Sequence, residues 1–280
     1  MAFEASWLQR QLGAELLALR EDRKLTTREV AGALGWAASK VARMERAENR
    51  IDPQDIIKLG RLYKIVDSEV TRLCEMARAS RTDIWWERYK PWLADSYYTM
   101  IGYENDATCI KTTHPSIVPG LLQTRRYIEG LFASNIVVTD PDRVSVLTEV
   151  RELRQRRLTE PNPLQLVAII PESVLYASFG GDEAMREQLT HLRTTMGLVN
   201  VDVRVLPTAL PVNRLPLSLF EFGSEEGPAI AISDTEFGNV FHDAPMEILQ
   251  TRRIVNHLHE LALGPKETAR IIEQRIREIS

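Results

Sequence analysis

The sequence of 280 residues contains little cysteine, and its two cysteines form no pattern. Cys74 and Cys109 stand far apart, so they make neither a spaced metal-binding motif nor the C-x-x-C pair of a redox site. A small fold held together by several disulfides is also excluded. Both cysteines are therefore expected to be buried, small apolar residues in a reducing cytoplasm.

Long apolar runs are missing as well. No stretch approaches the roughly 20 apolar residues that a membrane-spanning helix needs, and the first residues lack a signal-peptide pattern. The hydrophobic share of 44% and the charged share of 26% are ordinary for a globular protein. We expect a cytoplasmic chain with no membrane partner, long enough for two domains.

Motifs of the common catalytic sites are also absent from the sequence. It contains no P-loop, no nucleophile elbow and no HExxH pattern. His257 and His259 stand two apart on a predicted helix, so they point to different faces and do not suit a shared metal. Glu172, Asp234 and Glu236 could converge, but no nucleophile accompanies them. We expect no enzyme, no metal and no cofactor.

The net charge of −4 does not suggest a nucleic-acid partner, but the charge is distributed unevenly. Between Arg23 and Arg50 the chain has seven basic residues and three acidic ones. Contacts to phosphates need only a local basic surface, so an acidic protein can still bind DNA. A solvated helix face is the alternative interpretation of this segment.

Residues 25–62 carry the sequence signals of two short helices joined by a tight turn. Thr26, followed three residues later by Glu29, is the signature of a capping box at a helix start. Gly35 suits the left-handed residue that ends such a helix. A second helix is predicted to begin near Ala38. This pattern is typical of a helix-turn-helix, which places its second helix in the major groove of DNA.

Over residues 8–75 the sequence resembles the helix-turn-helix domain of XRE (xenobiotic-response-element) regulators and phage repressors. The resemblance implies an all-α domain in which an arginine of the first helix pairs with a glutamate of the recognition helix. Arg20 and Glu45 stand at these positions. One departure is Ala47, which stands where many relatives carry glycine. The recognition helix is therefore expected to continue to Asn49, which tolerates a left-handed conformation.

The outward side chains of the recognition helix are expected to read bases, and the polar residues around it to hold phosphates. The expected base contacts are Ala38, Ser39, Lys40 and Arg43, with the methyl group of Ala38 against a thymine methyl. The expected phosphate contacts are Thr27, Arg28, Arg46, Asn49 and Arg50. Thr27 lies in the first turn of its helix, where N–H groups face an anion. Arg20 and Glu45 are expected to form a partly buried ion pair without touching DNA.

A cluster of aromatic residues follows the helical region, with seven aromatics between Trp85 and Tyr103. A flexible linker would be poor in aromatics, so we expect this segment to pack between two domains. Its interleaved Arg88 and Lys90 leave open a surface that stacks nucleotides. The predicted organisation is a helix-turn-helix domain at residues 1–80, an aromatic-rich junction at 81–113 and an α+β domain at 114–280.

The pattern of the last 170 or so residues mixes strands with helices. Residues 164–170 and 200–206 have the composition of strands, and the amphipathic helix predicted at 182–196 between them favours a parallel crossover. Residues 217–234 have the pattern of a hairpin, and two helices are predicted within 246–279. The fold class is therefore predicted as mainly α, with an α+β second domain.

Five short motifs occur in order along this second domain. They are IVPGLLQTRRY at 117–127, VRELRQRRL at 150–158, PESVL at 171–175, NVDVRVLP at 200–207 and ISDTEFGNVF at 232–241. Together they make residues 98–272 resemble the uncharacterised domain that follows an XRE-type helix-turn-helix in actinobacterial regulators of the WhiJ-like group. The resemblance implies a transcription regulator, often encoded beside a small partner protein.

These patterns favour a sequence-specific, DNA-binding transcription regulator that works as a homodimer on double-stranded DNA. Its C-terminal domain is expected to sense a small regulatory partner protein or a ligand, and to contribute to dimerisation. Arg151, Arg154 and Arg157 could bind an acidic effector or partner; salt bridges within the domain are the alternative. The alternative function is an antitoxin-like module that neutralises a small cognate protein.

Overall fold

The chain folds into two compact units, residues 1–85 and 86–280. The computed structural model describes residues 7–79, 84–134, 140–212, 215–223 and 228–279. Within these residues, no helix combines the length and the apolar composition needed to cross a membrane.

The first unit is a bundle of helices. In the described residues its helices are α1 (Trp7–Asp22), α2 (Thr27–Leu34), α3 (Ala38–Glu45), α4 (Pro53–Tyr63) and α5 (Asp67–Ala79). Its core is made of apolar side chains from all five: Leu12, Leu16, Val30, Val41, Met44, Ile56, Leu59, Tyr63 and Leu73. The predicted all-α helix-turn-helix bundle is confirmed.

Local sequence signals explain where the helices of this unit begin and end. Thr26 caps α2 in a complete capping box with Glu29, and Gly35 ends it with a φ of 68°. Asp52 caps α4 with its side chain on the N–H of Gln54, and Pro53 occupies the first helical position. At these positions the type of a single residue is enough to predict where a helix begins or ends.

The end of α3 differs from the expectation. The helix ends at Glu45, and Ala47 takes a left-handed conformation with a φ of 52°. The prediction that the helix continues to Asn49 is therefore wrong. A residue with a Cβ atom adopts this conformation at a cost of roughly 1–2 kcal/mol. The buried methyl group of Ala47, only 3% exposed, partly offsets that cost.

The second unit is built on one mixed sheet. Its described strands are β1 (Cys109–Thr113), β2 (Gln165–Pro171), β3 (Val201–Leu206), β4 (Leu217–Glu221), β5 (Ala229–Thr235) and β6 (Gly238–His242). Their order is β3-β2-β1-β4-β5-β6, with β1, β2 and β3 parallel and the pairs β1–β4, β4–β5 and β5–β6 antiparallel. The predicted α+β class is confirmed, including the crossover and the hairpin.

Helices cover both faces of this sheet. They are α6 (Asp95–Asp106), α7 (Arg125–Ala133), α8 (Pro141–Gln155), α9 (Asp182–Thr195), α10 (Pro245–Leu261) and α11 (Pro265–Glu278). Because side chains alternate along a strand, Leu217 and Leu219 point to one face, where they pack with Val255 of α10. Ile110 and Thr112 point to the other face, together with side chains from α6 and α8.

The aromatic segment belongs to the second unit. Residues 86–113 contribute α6 and β1 to it, and β1 lies between β2 and β4 in the interior of the sheet. Residues 86–113 are therefore a structural part of the sheet domain and not a separate junction. Sequence patterning did not identify β1, because five residues that include Lys111 and three hydroxyl or thiol side chains lack the alternation of a typical strand.

Candidate nucleic-acid interface

The recognition helix α3 is held against α1 by a close backbone contact. A Cβ atom at Gly13 would lie 2.7 Å from the carbonyl oxygen of Glu45 and 2.9 Å from that of Met44. Only glycine leaves room for such an approach of two helices. Gly13 therefore fixes how far the end of α3 lies from α1.

Arg20 and Glu45 form an ion pair at the same contact. Arg20 Nε and Nη2 donate to the two carboxylate oxygens of Glu45 at 2.6 and 3.0 Å, and Nη1 donates to the carbonyl of Leu25 at 2.8 Å. The side chains are only 12% and 7% exposed. The hydrogen bond to Glu45 is the largest cause that raises the pKa of Arg20. The pair ties α1 to α3 and neutralises a carboxylate that would otherwise repel phosphates.

The start of α2 has a capping box, and the first N–H groups of the helix have no partner within it. Thr26 Oγ1 accepts from the N–H of Glu29 at 3.2 Å, and Glu29 Oε2 accepts from the N–H of Thr26 at 2.7 Å. The N–H groups of Thr27 and Arg28 precede the first intrahelical bond, so they can face an anion. Thr27 is half-buried and Arg28 is exposed. This geometry suits a phosphate contact.

The exposed face of α3 carries Ser39 and Arg43. They stand four residues apart on the same side of the helix, both exposed, and Arg43 Nε donates to the carbonyl of Ser39 at 3.3 Å. Ala38 lies at the first position of α3, half-buried, and packs partly against the core. Ser39 and Arg43 are thus the side chains with the greatest freedom to reach a base edge.

Lys40 does not project freely from the helix. Its Nζ lies 2.7 Å from Asp55 Oδ2 and 4.1 Å from the centre of the Trp36 ring. A base contact by Lys40 would require this ion pair to open, and that contact stays a prediction. The sequence could not show the ion pair, because Asp55 comes from α4 and its spacing from Lys40 follows no helical period.

Three further candidates follow α3. Arg46 is exposed and forms a bidentate ion pair with Glu48, at 2.7 and 3.2 Å, which lowers the pKa of Glu48. Asn49 is half-buried, and its Oδ1 is enclosed without a hydrogen-bond partner among the described residues. Arg50 is exposed. The guanidinium groups of Arg46 and Arg50 are accessible, whereas the amide nitrogen of Asn49 is the only hydrogen-bond donor of its side chain.

The three arginines expected to bind an acidic effector have different surroundings in the structure. Arg154 is buried and donates to both carboxylate oxygens of Glu104 at 2.7 Å. Burial opposes its charge, but Glu104 more than compensates, so the pKa of Arg154 is raised. Arg157 pairs with Glu160 at 2.9 Å and donates to the carbonyl of Ala107. For these two arginines, salt bridges and hydrogen bonds within the domain are the observed arrangement.

Arg151, in contrast, lines a cavity of about 260 Å³ in the second unit. The walls come from α6, β1, the segment after β1, α8 and the strands β2 and β4 to β6. Arg154, Glu104, Tyr97 and His114 also line it. Arg151 donates to Gln123 Oε1 at 2.7 Å. This cavity combines charged, polar and apolar side chains.

Sequence reasoning missed most of the polar residues around this cavity. Glu104 follows Met100, Ile101 and Tyr103 on α6, and these apolar and aromatic neighbours are the signal that could have marked it as a buried, paired charge. His114 lies in none of the five motifs that the sequence analysis identified. No sequence spacing connects either residue to α8.

Comparison with known proteins supports both units. A family model described as a helix-turn-helix domain matches residues 11–83. A second model, described as a domain of unknown function (DUF5753), matches residues 97–274. No curated protein and no solved structure matches the chain.

Proposed function

The chain belongs to the DUF5753 family and carries a helix-turn-helix domain, and from this we propose that it is a sequence-specific, DNA-binding transcription regulator. The observation that supports this most is the exposed basic surface around α3, on a helix that is fixed to α1 by Gly13 and by the Arg20–Glu45 pair. A rigid helix with exposed arginines is what reading of the major groove requires.

We assign base discrimination to Ser39 and Arg43, and backbone contacts to Arg28, Arg46 and Arg50. Arg43 can donate two hydrogen bonds to a guanine, a contact worth about 1–3 kcal/mol of discrimination. The arginines assigned to the backbone act on any sequence, because phosphates carry no base information. Thr27 contributes through the helix start, as described above.

The test is selection of bound DNA from fragments of the native genome by the full-length protein, followed by affinity measurements on the enriched site. Arg43→Ala should weaken binding to that site by tenfold or more and change random DNA far less. Arg78→Ala, an exposed arginine on α5, is the matched control and should leave both affinities unchanged. Absence of any enriched sequence, or an equal loss on all DNA, contradicts the proposal.

The same proposal includes the type of the helix-turn-helix and the role of the second unit. We propose an XRE-type helix-turn-helix, because the Arg20–Glu45 pair links α1 to α3 in the way the resemblance implies. We propose that the second unit is of the WhiJ-like type and senses a small partner protein or a ligand, without catalysing a reaction. Two charged groups of its cavity, Arg154 and Glu104, satisfy each other, which supports binding over acid–base chemistry.

We also propose that the protein acts in the cytoplasm, with its DNA, as a homodimer. A single helix-turn-helix buries limited surface, and a palindromic site doubles the contact. Sedimentation of the full chain with and without the enriched DNA site measures the stoichiometry. A complex of one chain per site would contradict the dimer.

A second candidate function is an antitoxin-like module that neutralises a small cognate protein. It is favoured by apolar side chains exposed on the second unit: Phe237 at the β5–β6 turn is 101% exposed, and Val240 lies on the edge strand β6. Co-purification from native cells, with Phe237→Ser as the variant, tests it. A partner lost with Phe237→Ser while DNA binding is unchanged would favour this candidate.

A further inference from the structure

The size of the second-unit cavity limits what it can hold. Its volume of about 260 Å³ exceeds the about 150 Å³ that encloses a benzene molecule, and lies just below the about 300 Å³ where pockets for drug-sized ligands begin. A six-membered ring or a short alkyl chain with one polar group therefore fits. A nucleotide or a peptide would fit only in part, with the remainder in solvent.

The sheet gives this cavity an apolar floor. Ile110 of β1 is in register with Leu166 of β2 and Phe220 of β4, and all three line the cavity. Ile232 of β5 extends the same face. A ligand in this position would lie with its apolar body on these side chains.

The charged side chains in the cavity walls differ in whether they form an ion pair. Arg154 donates a hydrogen bond of 2.7 Å to each carboxylate oxygen of Glu104. This ion pair therefore presents no net charge to a ligand. Arg151 donates to the neutral amide of Gln123 and stacks over the Phe132 ring at 5.0 Å. Within the described residues, no carboxylate pairs with Arg151 in the way Glu104 pairs with Arg154. Arg151 is thus a positive charge at the cavity wall that forms no ion pair within the described residues.

Two neutral side chains add hydrogen-bond donors. His114 Nδ1 accepts from the N–H groups of Ser116 and Ile117 at 3.2 and 3.3 Å, so the ring proton is on Nε2. Burial lowers the pKa of His114, which keeps it neutral near pH 7. The Tyr97 oxygen accepts from Arg154 Nη1 at 2.7 Å, which leaves its own O–H as a donor.

A cation accompanied by donors suits a group that only accepts hydrogen bonds. We propose that this cavity binds a small monocarboxylic acid, whose carboxylate pairs with Arg151 and whose apolar body lies on Ile110, Leu166 and Phe220. A phosphate is disfavoured, because its second charge would meet no second unpaired cation among the described residues that line the cavity, and Asp234 lies at its exposed side. This inference rests on the proposal that the second unit senses a ligand.

The test uses three acids, benzoate, phenylacetate and hexanoate, each compared with its amide. The full-length protein is titrated without DNA, by calorimetry and by the shift of its melting temperature. At least one acid should bind ten times or more as tightly as its amide and raise the melting temperature in a saturable way. The inference is overturned if no acid is preferred over its amide.

Variants of Arg151 locate the site. Arg151→Gln should remove the preference for the acid, whereas Arg151→Lys should retain part of it. Arg156→Gln, an exposed arginine on the same segment outside the cavity lining, is the matched control and should change nothing. An acid preference that survives Arg151→Gln, with the fold intact by circular dichroism, contradicts the assignment.

Acid binding and DNA binding can fail separately. Loss of acid binding with normal DNA binding overturns only this inference. Acid binding without any specific DNA binding overturns the regulator proposal and leaves the cavity assignment standing.

Discussion

The surface around α3 in the first unit and the Arg154–Glu104 pair in the second unit use charged side chains in opposite ways. In the first unit, Arg43, Arg46 and Arg50 are exposed around α3, and the partner of Arg46 is the equally accessible Glu48. In the second unit, Arg154 and Glu104 are buried, with side chains 8% and 3% exposed, and satisfy each other completely. An exposed ion pair is weak and can be exchanged for a phosphate, whereas a buried pair cannot open without leaving a desolvated charge. Exposed charges therefore serve variable contacts, and buried ones fix a shape.

The largest effect should follow from breaking the buried pair. Glu104→Gln removes the charge that compensates Arg154, and removal of one partner of a buried pair costs about 3–5 kcal/mol of unfolding free energy. Urea denaturation of the full chain, followed by tryptophan fluorescence and circular dichroism, measures this loss. Glu160→Gln, which removes the exposed partner of Arg157, is the control and should cost less than about 1 kcal/mol. Equal losses in the two variants would contradict the distinction between buried and exposed ion pairs.

The next effect concerns the backbone contact under α3. Gly13→Ala would place a Cβ atom 2.7 Å from the carbonyl oxygen of Glu45, so α1 and α3 must separate. We expect a loss of about 1–3 kcal/mol in the unfolding free energy of the first unit, and weaker DNA binding. Gly32→Ala on α2 is the matched control, because its Cβ would meet nothing within 4 Å. It should stabilise the unit by up to about 1 kcal/mol; destabilisation by both variants would contradict the close contact.

A smaller effect should appear in the pH dependence of the unfolding free energy of the second unit. Burial is the main cause that lowers the pKa of His114 and of His191, both in the second unit, below the ordinary value of 6.5. The unfolded chain therefore binds more protons as pH falls below 6.5, and stability decreases there until the folded histidines also become protonated. Replacing both with glutamine should flatten this decrease, measured as unfolding free energy between pH 7.5 and 5. His257→Gln, an exposed histidine, should not.

The smallest effect is a change in the salt dependence of DNA binding. Glu48→Gln frees Arg46 from its bidentate partner, so one more cation is available to displace counterions. The slope of the logarithm of affinity against the logarithm of salt concentration should become steeper by up to about 0.9. Arg50→Ala should make it shallower by a similar amount. An unchanged slope in Glu48→Gln would show that Arg46 does not approach a phosphate.

What the sequence could predict depends on whether the determining contacts are local. The Thr26–Glu29 capping box and the Gly35 turn follow from residues a few positions apart, and both were predictable. The Arg20–Glu45 pair spans two helices and was accessible only through the resemblance to a known domain. The Lys40–Asp55 pair spans two helices without such a precedent, and it was missed.

The same distinction explains the second unit. The crossover around α9 and the β4–β5 hairpin have local signals in alternating apolar residues and were predicted. β1 was not, because its strand character arises from being enclosed by β2 and β4, which come much later in the chain. The cavity was also inaccessible, since its walls come from segments as distant as Tyr97 and Asn239.

The position of β1 has a consequence for how the protein is made. Cys109 pairs with Glu221, so the sheet cannot close until most of the chain has left the ribosome. The helical unit depends on contacts within residues 1–85 and can fold while the rest is still being translated. During each round of synthesis there is thus an interval in which the DNA-binding unit is complete and the sheet domain is not. At the typical rate of about 5–20 residues per second, that interval lasts on the order of ten seconds.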